Sequence, residues 1–166
     1  MDLKKLVRDI PDFPIAGVLF RDISPILESP PAFHAALEQL VRKVDLSKID
    51  HVVGIESRGF ILGAAIAAKF EKGFIPLRKA GKLPPPVVEK SYELEYGKAT
   101  LEMRPGAGKV LIVDDVLATG GTLDAAVELC AKAGYQVMDI SVLIDLRFLN
   151  GFRFNGHPVC SALVYE

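Results

Sequence analysis

Apolar positions along this chain fall into runs whose spacing alternates between helical and extended. After Ser29, which can cap a helix, and Pro30, which suits a first turn, Phe33, Ala36, Leu37, Leu40, Val41 and Val44 recur at helical spacing. His51–Ile55 is a short apolar run and predicts a strand. Arg58–Phe70 reads as a helix with almost no polar face, which predicts burial all round. Gly73–Leu77 predicts another strand, and the basic, proline-rich Arg78–Pro86 a loop. Val87–Met103 alternates weakly about Tyr96-Gly97, as a β-hairpin would. Val110–Val113 predicts a buried strand, and Thr122–Ala133 a helix stopped by Gly134. Val137–Leu146 and Val159–Tyr165 complete the predicted strands. Residues 1–30 are cut by Pro11, Pro14, Pro25 and Pro30, and predict a loop-rich arm with one short strand near Val18–Phe20.

Strand and helix thus alternate through the middle of the chain. That order predicts an α/β fold: a single doubly wound, mostly parallel sheet flanked by helices. Ligands of such sheets bind outside the carboxyl ends of the strands. At 166 residues the chain fits one domain, 1–166, with an arm over 1–30 and a hairpin region over 78–104.

Composition narrows the function. Lys and Arg number 20 against 21 Asp and Glu, and the net charge of −1 argues against a broad nucleic-acid surface. Between Pro76 and Lys109, however, seven basic residues face four acidic ones, enough to suit a small anionic substrate. Cys130 and Cys160 form neither a disulfide framework nor a zinc pair. The longest uncharged apolar stretch, Gly59–Ala68, is too short to span a membrane, and Met1–Ile10 has no signal-peptide apolar region. A soluble cytoplasmic protein is expected. His34, His51 and His157 share no motif and are expected to be structural or exposed.

The candidate chemistry lies in Val110–Thr122, where a strand is expected to end in Asp114-Asp115 and a loop with Gly120 and Gly121 to open a helix. Glycines let main-chain amides approach a ligand, and a helix N-terminus favours phosphate. Thr119 and Thr122 add hydroxyl donors. Two ionised carboxylates repel phosphate but accept from the vicinal hydroxyls of a sugar, so the loop reads as a site for ribose 5-phosphate. Gly106-Ala107-Gly108-Lys109 fits neither a Walker loop nor a dinucleotide fingerprint.

Val110–Thr122 resembles the phosphoribosyl-diphosphate signature of type I phosphoribosyltransferases. Asp12-Phe13-Pro14, Gly17–Pro25, Glu56–Phe60, Arg78-Lys79 with Gly81–Pro84, Ser91–Lys98 and Tyr165-Glu166 resemble, in order, segments of the adenine-specific members. The resemblance implies transfer of the 5-phosphoribosyl group from 5-phosphoribosyl 1-diphosphate to adenine, giving AMP and diphosphate in purine salvage. It implies Mg2+ as cofactor and a homodimer, with no nucleic-acid or membrane partner. The arm would be a base-binding hood and the hairpin a flexible lid.

Site residues follow from the same resemblance. Asp114, Asp115, Ala118, Thr119, Gly120, Gly121 and Thr122 would hold ribose 5-phosphate, with Mg2+ reached by Asp114 or Asp115 directly or through water. Ser57, Arg58, Gly59, Arg78, Lys79, Lys82 and Tyr96 would hold diphosphate. Leu19, Phe20, Arg21, Leu117 and Leu146 would form the base pocket. Glu95 and Arg58 would be catalytic, Glu95 relaying a proton at the purine. Pro85 stands where glycine is common and Asp145 where glutamate is frequent, which bears on the lid and the base pocket. A phosphoribosyltransferase for another nucleobase and a non-catalytic nucleotide-sensing regulator on this fold are the alternative readings.

Overall fold

Charge opposition specifies the first sheet. In the computed structural model, which describes residues 1–94 and 97–166, β1 (Arg8–Pro11) pairs antiparallel with β2 (Leu19–Asp22). The register sets Arg8 opposite Asp22 and Asp9 opposite Arg21. Arg8 Nη2 lies 2.6 Å from Asp22, and Arg21 is ion-paired with Asp9. Opposite charges facing across a ladder stabilise it. β1 carries one half-buried apolar residue, Ile10, so no apolar alternation announced it. The predicted strand near Val18–Phe20 is β2, shifted one residue on.

Pro25 starts a helix where the arm was expected to be loop. Proline fits a first helical turn, and α1 spans Ser24–Glu28, its Ser24 N–H bonded to Asp22 at 2.9 Å. Hydrogen bonds from the Ser24 hydroxyl and amide outweigh burial and, with Arg8, pull the Asp22 carboxyl down to about 2. α2 covers Pro30–Val41, starting as predicted and stopping short of Val44. The chain divides into two compact units, Met1–Gln39 and Leu40–Glu166.

The second unit holds a seven-stranded sheet. β3 (His51–Ile55) pairs in parallel with β4 (Gly73–Lys79) and with β7 (Gly108–Leu117). β8 (Tyr135–Leu146) and β9 (Cys160–Tyr165) extend the parallel part beyond β7. On the other side β6 (Gly97–Met103) runs antiparallel to β4, and β5 (Val88–Leu94) antiparallel to β6. The order is β5-β6-β4-β3-β7-β8-β9. Among the parallel strands the chain runs outward from β3 to β4 on one side and from β7 to β8 and β9 on the other, so the carboxyl ends of β3 and β7 flank the topological switch point where such sheets bind ligands.

Helices cover both faces. α4 (Gly121–Ala133) packs Leu123, Ala126, Leu129 and Cys130 into one core with Val53, Ile55, Val110, Ile112, Ile140 and Val142. α3 (Arg58–Lys69) lies on the face of Val52, where Gly63 approaches Gly54 and the Val52 side chain. The Ser141 hydroxyl donates to the Leu40 carbonyl at 2.7 Å. Gly134 closes α4 in the left-handed conformation, as predicted.

Two readings are corrected. α3 is not buried all round: Ile61 is 45% exposed and Ala64 and Ala68 are open with it, because the sheet covers only the side of Leu62, Ile66 and Ala67. Arg78 and Lys79 belong to β4 rather than to a loop, since β6 supplies them a ladder in which Arg78 opposes Glu102 and Lys79 opposes Leu101. The predicted hairpin is β5–β6 and continues the main sheet. It lies along α4, with Lys90 Nζ 2.5 Å from Glu128 and Lys132 Nζ donating to the Glu89 carbonyl at 2.9 Å. No helix among the described residues is long and apolar enough to cross a membrane.

Candidate active site

Asp114 and Asp115 do not follow a strand end; they lie inside β7, which runs on to Leu117. The ladder continues because β8 pairs with Asp114, Val116 and Leu117. Both aspartates are buried, at 8% and 7% exposure. Asp114 Oδ1 accepts the Asp115 N–H at 2.8 Å. Burial, then the charge of Asp115, pushes the Asp114 carboxyl well above the ordinary range.

Arg58 answers this concentration of negative charge. Its Nε lies 2.5 Å from Asp115 Oδ2, an oxygen that is buried and accepts no well-aligned hydrogen bond. The contact is therefore an ion pair between the first residue of α3 and the strand beside it. Gly59 makes it possible: a Cβ there would stand 2.9 Å from the Val113 carbonyl and 3.0 Å from Asp114 Oδ1. α3 starts against β7 only because residue 59 has no side chain. Ser57 precedes the helix, exposed and without a side-chain capping bond, and the Glu56–Ser57 peptide is cis.

Glu56 gathers the basic residues. Its carboxylate accepts from Lys82 Nζ at 2.6 Å, the Lys79 N–H at 2.8 Å and Arg78 Nη2 at 3.1 Å. Burial pushes this carboxyl up, but those three donors outweigh it and pull it down to about 2. The Arg78 guanidinium also sits 5.7 Å from the Phe60 ring centroid. The sequence singles out Arg78, Lys79 and Lys82 as basic residues; Glu56, the acid that assembles them, stands in it as one residue of the Glu56–Phe60 motif. Three cations close after one strand end need a counter-charge, and that is the signal Glu56 carried.

These groups line a cleft of about 340 Å³, bounded by Glu56, Ser57, Arg58, Lys79, Asp114, Asp115 and Thr122, with Tyr92 at its edge. The Tyr92 hydroxyl meets Thr122 Oγ1 at 3.2 Å and so brings the hairpin to the start of α4. A smaller cavity of about 80 Å³ adjoins it through Asp114 and Thr122, lined by Val116, Leu117, Ala118, Thr119 and Gly120. α4 opens there from Gly120, at φ +98°, with no side chain capping its first amides. Those N–H groups and the helix dipole remain available to an anion. Phe152 buttresses the loop, since a Cβ on Gly120 would stand 2.9 Å from its ring.

Another cleft of about 340 Å³ lies beyond β8, lined by Asp145, Arg147, Asn150, Phe152 and Arg153. There the buried Asp145 already accepts from Arg147 at 3.3 Å and from Asn150 at 3.2 Å. The first cleft brings the paired carboxylates together with Glu56, Arg58 and Lys79, and the small cavity beside it holds the uncapped start of α4.

The residues expected at the base are spread over both units. Leu19 is 48% exposed, Phe20 is half-buried with its ring 5.2 Å edge-on from Phe13, and Arg21 holds Asp9. Leu117 is 1% exposed and belongs to both the core and the wall of the small cavity, and Leu146 is 9% exposed. Glu95 and Tyr96 lie outside the described residues.

Comparison with known proteins agrees with this layout. Residues 25–147 match the phosphoribosyl transferase domain model. The adenine phosphoribosyltransferase of Bdellovibrio bacteriovorus is 55% identical over 165 residues, covering 99% of this chain and 100% of that one. The crystal structure of adenine phosphoribosyltransferase from Rhodothermus marinus superposes with a TM-score of 0.87 at 43% identity, covering 98% of this chain and 96% of that one. The APRTase of Giardia lamblia complexed with 9-deazaadenine gives 0.86 at 39%, covering 99% and 97%. The parallel sheet with an anion-receptive loop at its switch point is of the nucleotide- and phosphate-binding α/β class, and this chain belongs to the phosphoribosyl transferase family.

Proposed function

We propose that this chain is an adenine phosphoribosyltransferase, which transfers the 5-phosphoribosyl group of 5-phosphoribosyl 1-diphosphate to adenine, giving AMP and diphosphate. The observation that carries the reading is a pair of neighbouring cavities that share Asp114 and Thr122 in their walls: one has Arg58 and Lys79 for diphosphate, the other an uncapped helix start for the 5-phosphate. Its relatives are named for that activity.

In this mechanism the 5-phosphate sits on the amides of Ala118–Thr122 and on the Thr119 and Thr122 hydroxyls. Asp114 and Asp115 accept from the ribose hydroxyls. Ser57, Gly59 and Arg58 donate to the diphosphate from one side, and Arg78, Lys79 and Lys82 from the other. A nitrogen of the five-membered ring of adenine forms a bond to the anomeric carbon as the bond to diphosphate breaks. Negative charge builds on the leaving group, so cations fixed beforehand stabilise the transition state more than the ground state. The proton on that ring nitrogen leaves through Glu95, with Tyr96 closing on the phosphates. For the base we propose the exposed Leu19 and the half-buried Phe20, with the main chain of Arg21 reading the exocyclic amine. A fixed acceptor there rejects a 6-oxopurine.

Asp114 and Asp115 suit Mg2+. Among the described residues no group of three or more His, Cys, Asp or Glu side chains could cage a metal. Mg2+ does not require one, since it keeps waters and takes one or two carboxylates with substrate oxygens. Asp115 Oδ2 is ion-paired with Arg58, and a carboxylate so placed keeps further lone pairs for an ion or its waters. When bound, the ion would neutralise charge developing on the diphosphate.

We further propose a homodimer, as the resemblance implies, and a cytoplasmic location, in keeping with two buried free cysteines. The test mixes purified protein, Mg2+ and 5-phosphoribosyl 1-diphosphate with adenine, hypoxanthine, guanine or orotate, and resolves nucleotides chromatographically. AMP formed from adenine alone is the expected result. Nucleotide from another base would change the substrate, and none from any base would refute catalysis.

A further inference from the structure

Glu102 is 1% exposed on β6 and has no part in the mechanism above. Its two oxygens take three consecutive main-chain donors. Oε2 accepts the Gly81 N–H at 3.0 Å, and Oε1 accepts those of Lys82 at 2.8 Å and Leu83 at 2.6 Å. The Ala80 N–H bonds the Thr100 carbonyl at 2.9 Å, so residues 80–83 are fastened to β6 one after another. Burial pushes the Glu102 carboxyl up, and the three amides outweigh it and hold it below the usual range. The carboxylate is therefore charged, and it substitutes for the ladder that the chain leaves after Lys79.

Lys82 is the middle residue of the three. Its amide is held by Glu102, and its ammonium reaches Oε1 of Glu56, a residue of the cleft wall, at 2.6 Å. A lysine stem is long and flexible, so a fixed main chain is what gives its charge a repeatable position. We propose that Glu102 is a positioning residue for the phosphorylated substrate, acting through Lys82 by fixing the segment that presents its ammonium to the diphosphate. The inference rests on the reading above that diphosphate occupies this cleft.

A double-mutant cycle tests it. Glu102→Gln keeps an acceptor for Lys82 and Leu83 but turns an amide NH2 toward the Gly81 N–H, donor against donor. Inorganic diphosphate in magnesium buffer is titrated by calorimetry into the wild type, Glu102→Gln, Lys82→Ala and the double variant. Glu102→Gln is expected to weaken binding about tenfold in the wild-type background, the scale of one lost charge-assisted hydrogen bond. In the Lys82→Ala background it should change binding by under about twofold. The KM for the sugar diphosphate should rise while that for adenine stays. A tenfold loss that persists without Lys82, an unchanged affinity, or a wild type that binds no diphosphate would each overturn the proposal. If Glu102→Gln melts too early to titrate, Glu102→Asp, which keeps the charge one methylene shorter, takes its place in the same cycle. A wild type that binds diphosphate but makes no AMP refutes the function and leaves the cycle to decide Glu102.

Discussion

Arg58 Nε and Asp115 Oδ2 stand 2.5 Å apart, joining the start of α3 to the carboxyl-end part of β7. The pair ties the proposed diphosphate cation to the proposed ribose carboxylate, so each half of the site holds the other in place. Arg58→Ala removes the cation and leaves the buried Asp115 without its counter-charge. We expect kcat/KM for the sugar diphosphate to fall by about 10²–10³, the usual effect of deleting one preorganised transition-state donor. Steady-state kinetics with that substrate varied is the check, and wild-type values would remove Arg58 from the mechanism.

Asp114→Asn combined with Asp115→Asn should separate folding from function. The substitutions are isosteric; Asp114→Asn relieves the repulsion that raises its carboxyl, while Asp115→Asn gives up the ion pair with Arg58, so the two effects oppose and urea unfolding should still show a cooperative, folded protein. Turnover should fall by about a hundredfold or more, because neither amide can replace a carboxylate toward ribose hydroxyls or Mg2+. Full turnover would mean that the ribose lies elsewhere.

Acid should weaken the fold in a defined window. The Glu56 carboxyl is pulled from its ordinary 4.5 to about 2. A depressed folded-state value means stability that is complete above about 4.5 and lost as pH falls toward about 2. Glu102 is shifted the same way and adds to the loss. Urea midpoints at pH 6, 4 and 3 should decline, and Glu56→Gln should be less stable at pH 6 with a shallower decline. A wild-type midpoint that holds down to pH 3 would contradict the ion cluster.

Gly120 combines φ +98° with the Phe152 ring 2.9 Å from where a Cβ would sit. Gly120→Ala should cost about 1–3 kcal/mol by urea unfolding, from backbone strain and overpacking together. In a Phe152→Ala background the same change should cost less, because only the backbone part remains. Equal costs in both backgrounds would show that the ring does not buttress the loop.

How the sequence prefigured each part depended on where its stabilising partner lay. α4 was legible because a run of apolar residues at helical spacing and a terminal glycine are local signals. So were β3 and the loop Ala118–Thr122, whose strand, glycines and hydroxyls are contiguous. Elements stabilised by remote residues were not. β1 depends on ion pairs to β2, the end of β4 on a ladder with β6, and the end of β7 on β8.

By itself the sequence determined the alternation of strand and helix, the residues at the switch point and the resemblance to a family, since these follow from local spacing and residue type. Tertiary structure decided the rest. It placed Asp114 and Asp115 inside a buried strand, brought Arg58 onto Asp115 over Gly59, and gathered Arg78, Lys79 and Lys82 on Glu56. It also set Glu102 beneath segment 80–83. Each of these is an electrostatic contact between residues far apart in the chain or buried by distant strands, and charge pairing over such separations has no periodicity to read.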